Sequence, residues 1–168
     1  KGPADWIQKT VSGKKIQVTP ELPIGLAEKL KKCGYQLILR KDAICPQREI
    51  KTIDEIKAIQ ASQCAAAAAM KVAIAQIASA QISKEGILRC GKAVLTSEAV
   101  RATIGHVLLD HDCVAEETIV ACGSASADPH ERGEGPLYAG QPIVIDIFPR
   151  SGKTGYWGDI TRTVCRGP

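Results

Sequence analysis

Ile143-Val144-Ile145-Asp146-Ile147-Phe148 and Tyr156-Trp157-Gly158-Asp159-Ile160-Thr161-Arg162-Thr163 read as two strands joined by a tight connection. Both are rich in β-branched and aromatic residues, and side chains in a strand alternate between faces. Val144, Asp146 and Phe148 therefore share one face, and the three isoleucines share the other. On the second strand Asp159 shares a face with Trp157 and Thr161. A carboxylate inside so apolar a strand is costly unless something compensates its charge.

The connection sets what that something is. If Ser151 to Thr154 form a four-residue loop, Arg150 faces Gly155, and the same register puts Asp146 directly opposite Asp159. Directly opposed side chains have Cβ atoms roughly 4.5–5.5 Å apart. Two carboxylates so placed repel unless a cation lies between them or one is protonated, and a divalent metal or a pair of them satisfies both. The spacing also allows one aspartate to pair with Arg150 or Arg162 while the other is solvated. A shared-proton dyad lacks an accompanying Asp-Thr-Gly pattern. Ser151-Gly152-Lys153-Thr154 does not complete a phosphate loop, because position 147 is isoleucine and the segment leads into a strand.

Upstream, Thr118 to Cys122 is a strand candidate, followed by a small-residue loop from Gly123 to Gly135 that carries His130. An imidazole there can shuttle a proton or hydrogen-bond a developing oxyanion, or it can simply be exposed. A helix is expected from Thr96 or Ser97 to about Asp110, burying Val100, Ile104, Val107 and Leu108. His106 and His111 are five residues apart and do not share a face as an i, i+4 ligand pair does. A longer helix starts at Thr52, where Glu55 completes a capping box. Its expected apolar stripe runs through Ile53, Ile56, Ile59, Cys64, Ala67, Val72 and Ile74 towards Ile82, with Met70 and the alanine run 65–69 as core. Nearer the start, Gly25 to Lys32 reads as a short helix ending before Gly34, and Tyr35 to Leu39 as a strand. Two helices followed by three strands, the last two close in sequence, give an α+β layer with antiparallel pairing.

Composition narrows the class. The 168 residues are 45% hydrophobic and 24% charged, enough for a packed core, while aromatics are only 4%, so aliphatic and alanine packing must fill it. The net charge of +4 comes with isolated lysine pairs and no aromatic ladder, which leaves nucleic-acid binding unmotivated. No 18-residue apolar run is evident as a membrane span. Seven cysteines without a Cys-x-x-Cys spacing suggest reduced thiols and a cytoplasmic setting, and argue against a cysteine-based zinc site.

The ordered motifs resemble the creatinase/aminopeptidase P/prolidase family of "pita-bread" metallopeptidases. Arg48-Glu49-Ile50-Lys51-Thr52 with Asp54-Glu55-Ile56 resembles the start of its catalytic domain. Ile119 to Gly123 followed by Pro129-His130 resembles its loop with the first active-site histidine, and Gly140 to Asp146, Gly155-Tyr156 and Asp159-Ile160-Thr161-Arg162-Thr163 resemble the two strands that begin its metal site. The resemblance implies an α+β fold, the first half of a pita-bread catalytic domain over residues 46–168, preceded by the tail of an N-terminal domain over residues 1–45. It implies that Asp146 binds one metal with both oxygens, that Asp159 bridges two divalent ions (manganese, cobalt or zinc), and that His130 assists catalysis. The implied reaction is hydrolysis of the bond before proline by water bound to the two metals, on a peptide or dipeptide. The implied assembly is a monomer or homodimer with neither nucleic acid nor membrane as partner. Creatinase lacks these acidic ligands, which argues against that activity.

The separation of 13 residues between the aspartates is longer than in many relatives. The family's remaining histidine and two glutamates come after the Thr-Arg-Thr strand, where this sequence has only Val164 to Pro168, so no residue here takes those roles. The expectation is a piece cut at both ends and inactive alone. A non-catalytic pita-bread binding module is the rival reading, disfavoured by the presence of Asp146, Asp159 and His130. A methionine aminopeptidase-like enzyme is another, disfavoured by the apparent N-terminal remnant.

Overall fold

A computed structural model describes residues 2–41 and 45–167. The chain divides into two compact units, residues 1–51 and 52–168. Residues 42–44, at the end of the expected N-terminal segment, lie outside the described residues.

In the first unit, α1 (Pro3–Thr10) is followed by β1 (Lys15–Val18), α2 (Ile24–Lys32) and β2 (Gln36–Leu39). The two strands pair in parallel, which requires a crossover, and α2 supplies it. Leu30 and Tyr35 are buried with Ala4, flanked by Ile16, Leu26 and Leu37. Gly34 adopts φ 83°, the left-handed conformation that ends a helix with least strain on a residue lacking Cβ. The expected helix and strand are therefore present, each within one residue of its expected start.

The second unit opens with α3 (Ile53–Ser79), whose start is the expected capping box. The Glu55 amide donates to Thr52 Oγ1 at 3.3 Å, and the Thr52 amide donates to Glu55 Oε2 at 2.8 Å. Short strands β3 (Gln81–Ile82), β4 (Leu88–Cys90) and β5 (Ala93–Val94) form a small antiparallel sheet before α4 (Ser97–Asp110). Then come β6 (Cys113–Val114), β7 (Ile119–Cys122), β8 (Pro142–Ile147), β9 (Arg150–Ser151) and β10 (Ile160–Cys165). The main sheet has the antiparallel order β10-β8-β7, and β9 pairs separately with β6. Ile143, Ile145 and Ile147 are fully buried together with Val100, Ile104 and Leu108 of α4 and with Ala65, Ala69 and Ala73 of α3. The opposite face carries Val144 and Asp146, only half-buried.

Two expectations about α3 are corrected. Ile53, Ile56, Cys64, Ala67 and Val72 are exposed, while Ser62, Ala65, Ala66, Ala69, Met70, Ala73 and Ile77 form the buried face. The larger side chains mislead because α3 packs against α4 through alanine, which lets helix axes approach closely. By length and composition alone α3 is also apolar enough to cross a bilayer, contrary to the expectation that no such run exists. Much of that apolarity is alanine.

Candidate active site

The register between β8 and β10 places the chemistry. Ile147 pairs with Ile160, Asp146 with Thr161, and Val144 with Thr163. Asp146 therefore does not face Asp159 directly, as expected; it faces Thr161. The cause lies at the hairpin tip. The Ser151 amide donates to Tyr156 O at 2.9 Å, and an isolated bridge joins Arg150 to Trp157, so the four-residue loop is 152–155 rather than 151–154. Gly155, at φ 72°, closes it with its amide on Ser151 O, and Ser151 Oγ accepts the amides of Lys153 and Thr154.

The error is two residues, an even number, so the face assignment survives. The Gly158 amide reaches Pro149 O at 2.9 Å, which continues the register past the end of β10 and sets Asp159 across from Phe148. Asp146 and Asp159 are thus diagonal neighbours on one face, a relation in which residues are roughly 7–8 Å apart and their Cβ atoms somewhat closer.

Each aspartate is held differently. Thr161 Oγ1 donates to Asp146 Oδ1 at 2.5 Å, and Ile119 of β7 lies opposite on the other side. Asp159 is held through its main chain: its amide donates to Gln63 Oε1 and its carbonyl accepts from Gln63 Nε2, both at 2.9 Å. The preceding residues rest on the same helix. Ser62 Oγ donates to Tyr156 O at 2.9 Å, and the Tyr156 hydroxyl donates to Glu55 Oε1 at 2.7 Å. These contacts explain why the strand expected from Tyr156 begins only at Ile160: residues 156–159 are docked on α3.

The arginines do not neutralise the pair. Arg162 donates to Thr161 O and Arg150 to Gly155 O, and the ion pairs among the described residues include neither Asp146 nor Asp159.

His130 lies in the loop after β7. Its side chain is 94% exposed, with Nδ1 3.6 Å from Asp128 Oδ1, the same atom that accepts its amide at 2.8 Å. The far end of this loop is anchored on α4. Arg101 Nη1 donates to the carbonyls of Arg132 and Gly133 at 2.7 and 2.6 Å, and Glu98 Oε1 accepts the Gly135 amide at 3.0 Å. Hydrogen bonds from its own backbone amide and from the Gly135 amide hold the Glu98 carboxyl below its ordinary value. Burial pushes the thiol of Cys122, at the end of β7, above its ordinary value, against a hydrogen bond from the Tyr138 amide. His106 and His111 are exposed, and among the described residues no group of three or more histidines, cysteines, aspartates or glutamates is gathered to hold a metal. Asp146 and Asp159 together offer hard oxygen donors suited to a divalent cation, as part of a ligand set.

The profile of metallopeptidase family M24 matches residues 57–168. The chain belongs to this family.

No curated protein is a significant match to the M24 chain. Among solved structures it resembles the prolidase from Pyrococcus horikoshii OT3, with a TM-score of 0.74 and 26% identity over 100% of this chain and 45% of that one. It resembles equally the X-Pro aminopeptidase from Thermotoga maritima MSB8, with a TM-score of 0.74 and 25% identity over 98% of this chain and 44% of that one. The dipeptidase PepE from Mycobacterium ulcerans shares the fold at a TM-score of 0.70 and 23% identity, over 100% of this chain and 43% of that one. The M24 chain thus spans less than half the length of these structures, and its α+β arrangement is that of the first half of the pita-bread fold.

The residues that sequence reasoning missed are Gln63 and Ser62. Each is a polar side chain on α3 whose partner is a main-chain atom more than ninety residues away, which no local pattern reveals.

Proposed function

We propose that the chain is the opening half of the catalytic domain of a metal-dependent Xaa-Pro peptidase of aminopeptidase P or prolidase type. The observation that carries this reading is the placement of Asp146 and Asp159 as diagonal neighbours on one sheet face, without an ion-pair partner among the described residues, in a chain of a metallopeptidase family. Uncompensated carboxylates so close favour a bound cation, and carboxylate oxygens suit manganese, cobalt or zinc.

Asp146 and Asp159 would hold the cations, with the remaining ligands supplied from outside these 168 residues. Bound divalent ions supply Lewis-acid activation and charge stabilisation for peptide-bond hydrolysis. Thr161 orients the Asp146 carboxylate, and α3 fixes the main chain of Asp159. His130 moves a proton or donates to the substrate carbonyl oxygen as charge develops there. The substrate is a peptide or dipeptide with proline after the cleaved bond, and the setting is cytoplasmic.

The test is an assay with Xaa-Pro dipeptides and longer Xaa-Pro peptides in the presence of manganese, cobalt or zinc. The 168-residue chain alone is expected to show no turnover, because two carboxylates are too few ligands. A longer protein containing it is expected to show metal-dependent turnover that Asp159→Asn abolishes. Metal-dependent turnover by the 168 residues, or a longer protein indifferent to Asp159→Asn, overturns the reading.

A further inference from the structure

The segment 156–159 is attached to one face of α3 in a way that a strand end does not require. Glu55, Ser62 and Gln63 are spaced seven and eight residues apart, so they lie on one side of the helix. Glu55 takes the Tyr156 hydroxyl, Ser62 takes the Tyr156 carbonyl, and Gln63 takes both main-chain groups of Asp159. Between them Gly158 lies so close to the helix that an added Cβ would sit 2.5 Å from Ser62 O. A primary amide that satisfies an N–H and a C=O of one residue mimics a neighbouring strand. It fixes both the position and the rotation of that peptide, and with them the direction in which the side chain leaves the main chain.

We infer that Gln63 is a positioning residue for Asp159. The inference rests on the reading of Asp159 as a metal ligand and deepens it. Asp146 is placed by the sheet, in full register on both sides. Asp159 lies one residue before β10, across from Phe148, with its side chain exposed and its own amide and carbonyl bonded to Gln63 rather than to a neighbouring strand. The two-point amide clamp takes the place of such a strand. The distance between the two carboxylates is then set by how α3 packs against the sheet, through Gln63, rather than by the hairpin alone. Ser62 and Glu55 hold the residues leading into the clamp. No charge is introduced beside the carboxylates, as a lysine or arginine clamp would do, so their full negative charge stays available to a cation.

The test compares the 168-residue chain with Gln63→Ala and Gln63→Met, the second keeping the side-chain bulk, by residue-resolved amide hydrogen exchange without metal. The Asp159 amide is expected to exchange about tenfold faster in both variants. Ile145 and Val120 amides, in the buried sheet, are expected to keep their rates, which separates loss of the clamp from general loosening. Manganese is then added at low concentration, and paramagnetic broadening is read at residues 146 and 159. The unsubstituted chain is expected to broaden both together, and the variants to broaden residue 146 while residue 159 loses its effect. An Asp159 amide that exchanges equally in all three chains overturns the inference, as does joint broadening that both variants retain. Absence of manganese broadening at both residues, in the unsubstituted chain and in a longer protein that supplies the remaining ligands, overturns the metal reading instead, and the exchange comparison still decides the clamp.

Discussion

Thr161 Oγ1 lies 2.5 Å from Asp146 Oδ1, a hydrogen bond between residues directly opposed across β8 and β10. A charge-assisted bond of this kind both shortens and orients. It leaves Asp146 Oδ2 as the oxygen free of this bond and limits rotation of the carboxylate.

Replacing that hydroxyl by a methyl in Thr161→Val keeps the β-branched shape and removes the donor. The expected cost is about 1 kcal/mol of stability, since the pair is partly solvated. Urea denaturation measures it, and Thr161→Ser is expected to recover most of the loss. Equal midpoints for Thr161→Val and the unsubstituted chain would show the bond to be energetically idle.

Gly158→Ala is expected to be among the most damaging single substitutions in the second unit. The new Cβ would meet Ser62 O at 2.5 Å, Ser62 C at 2.6 Å and Gln63 N at 2.8 Å, all main-chain atoms of a helix that cannot yield. Overpacking of this kind costs on the order of 2 kcal/mol. The same unfolding measurement checks it, with faster exchange of the Asp159 amide as the local sign.

The acid side of the stability profile should carry a contribution from Glu98. Its folded-state carboxyl is held below the ordinary value by hydrogen bonds from its own amide and that of Gly135, with smaller help from Thr96 and Arg101, against a desolvation that raises it. A depressed carboxyl stabilises the fold above its unfolded-state value, and the contribution disappears as pH falls through the folded-state value. Glu98→Gln is therefore expected to lower the melting temperature at pH 7, by a difference that shrinks as pH falls through the folded-state value. A difference that stays constant down the acid limb would assign the effect to shape rather than charge.

The alanine face of α3 makes a contrasting pair. Ala69→Leu, at a fully buried position, is expected to destabilise by about 1–3 kcal/mol. Ile56→Ala, at a position 53% exposed, is expected to change stability by less than about 1 kcal/mol. Thermal melts of the two variants decide whether size or placement governs this helix.

What was legible along the chain is what local interactions control. The start of α3 follows from Thr52 and Glu55, three residues apart, and the face of Asp146 follows from strand alternation with Ile143, Ile145 and Ile147. The family motifs are equally local, and the match over residues 57–168 spans those from Ile119 onwards. The stripe on α3 was misread because hydrophobic size, not contact distance, is what a sequence displays. Gln63 carried no signal, since a glutamine on a helix reads as solvent-facing wherever its partner lies far along the chain.

The two aspartates follow the same division. Alternation along each strand groups Asp146 with Val144 and Phe148, and Asp159 with Trp157 and Thr161, and any loop with an even number of residues brings the two groups onto one face. Only the tertiary structure decided that they are diagonal rather than opposed. Their register depends on whether the loop closes at Ser151 with Tyr156 or at Arg150 with Gly155, two closures a sequence cannot rank. Docking of residues 156–159 on α3, through groups up to 101 residues apart, accompanies the first.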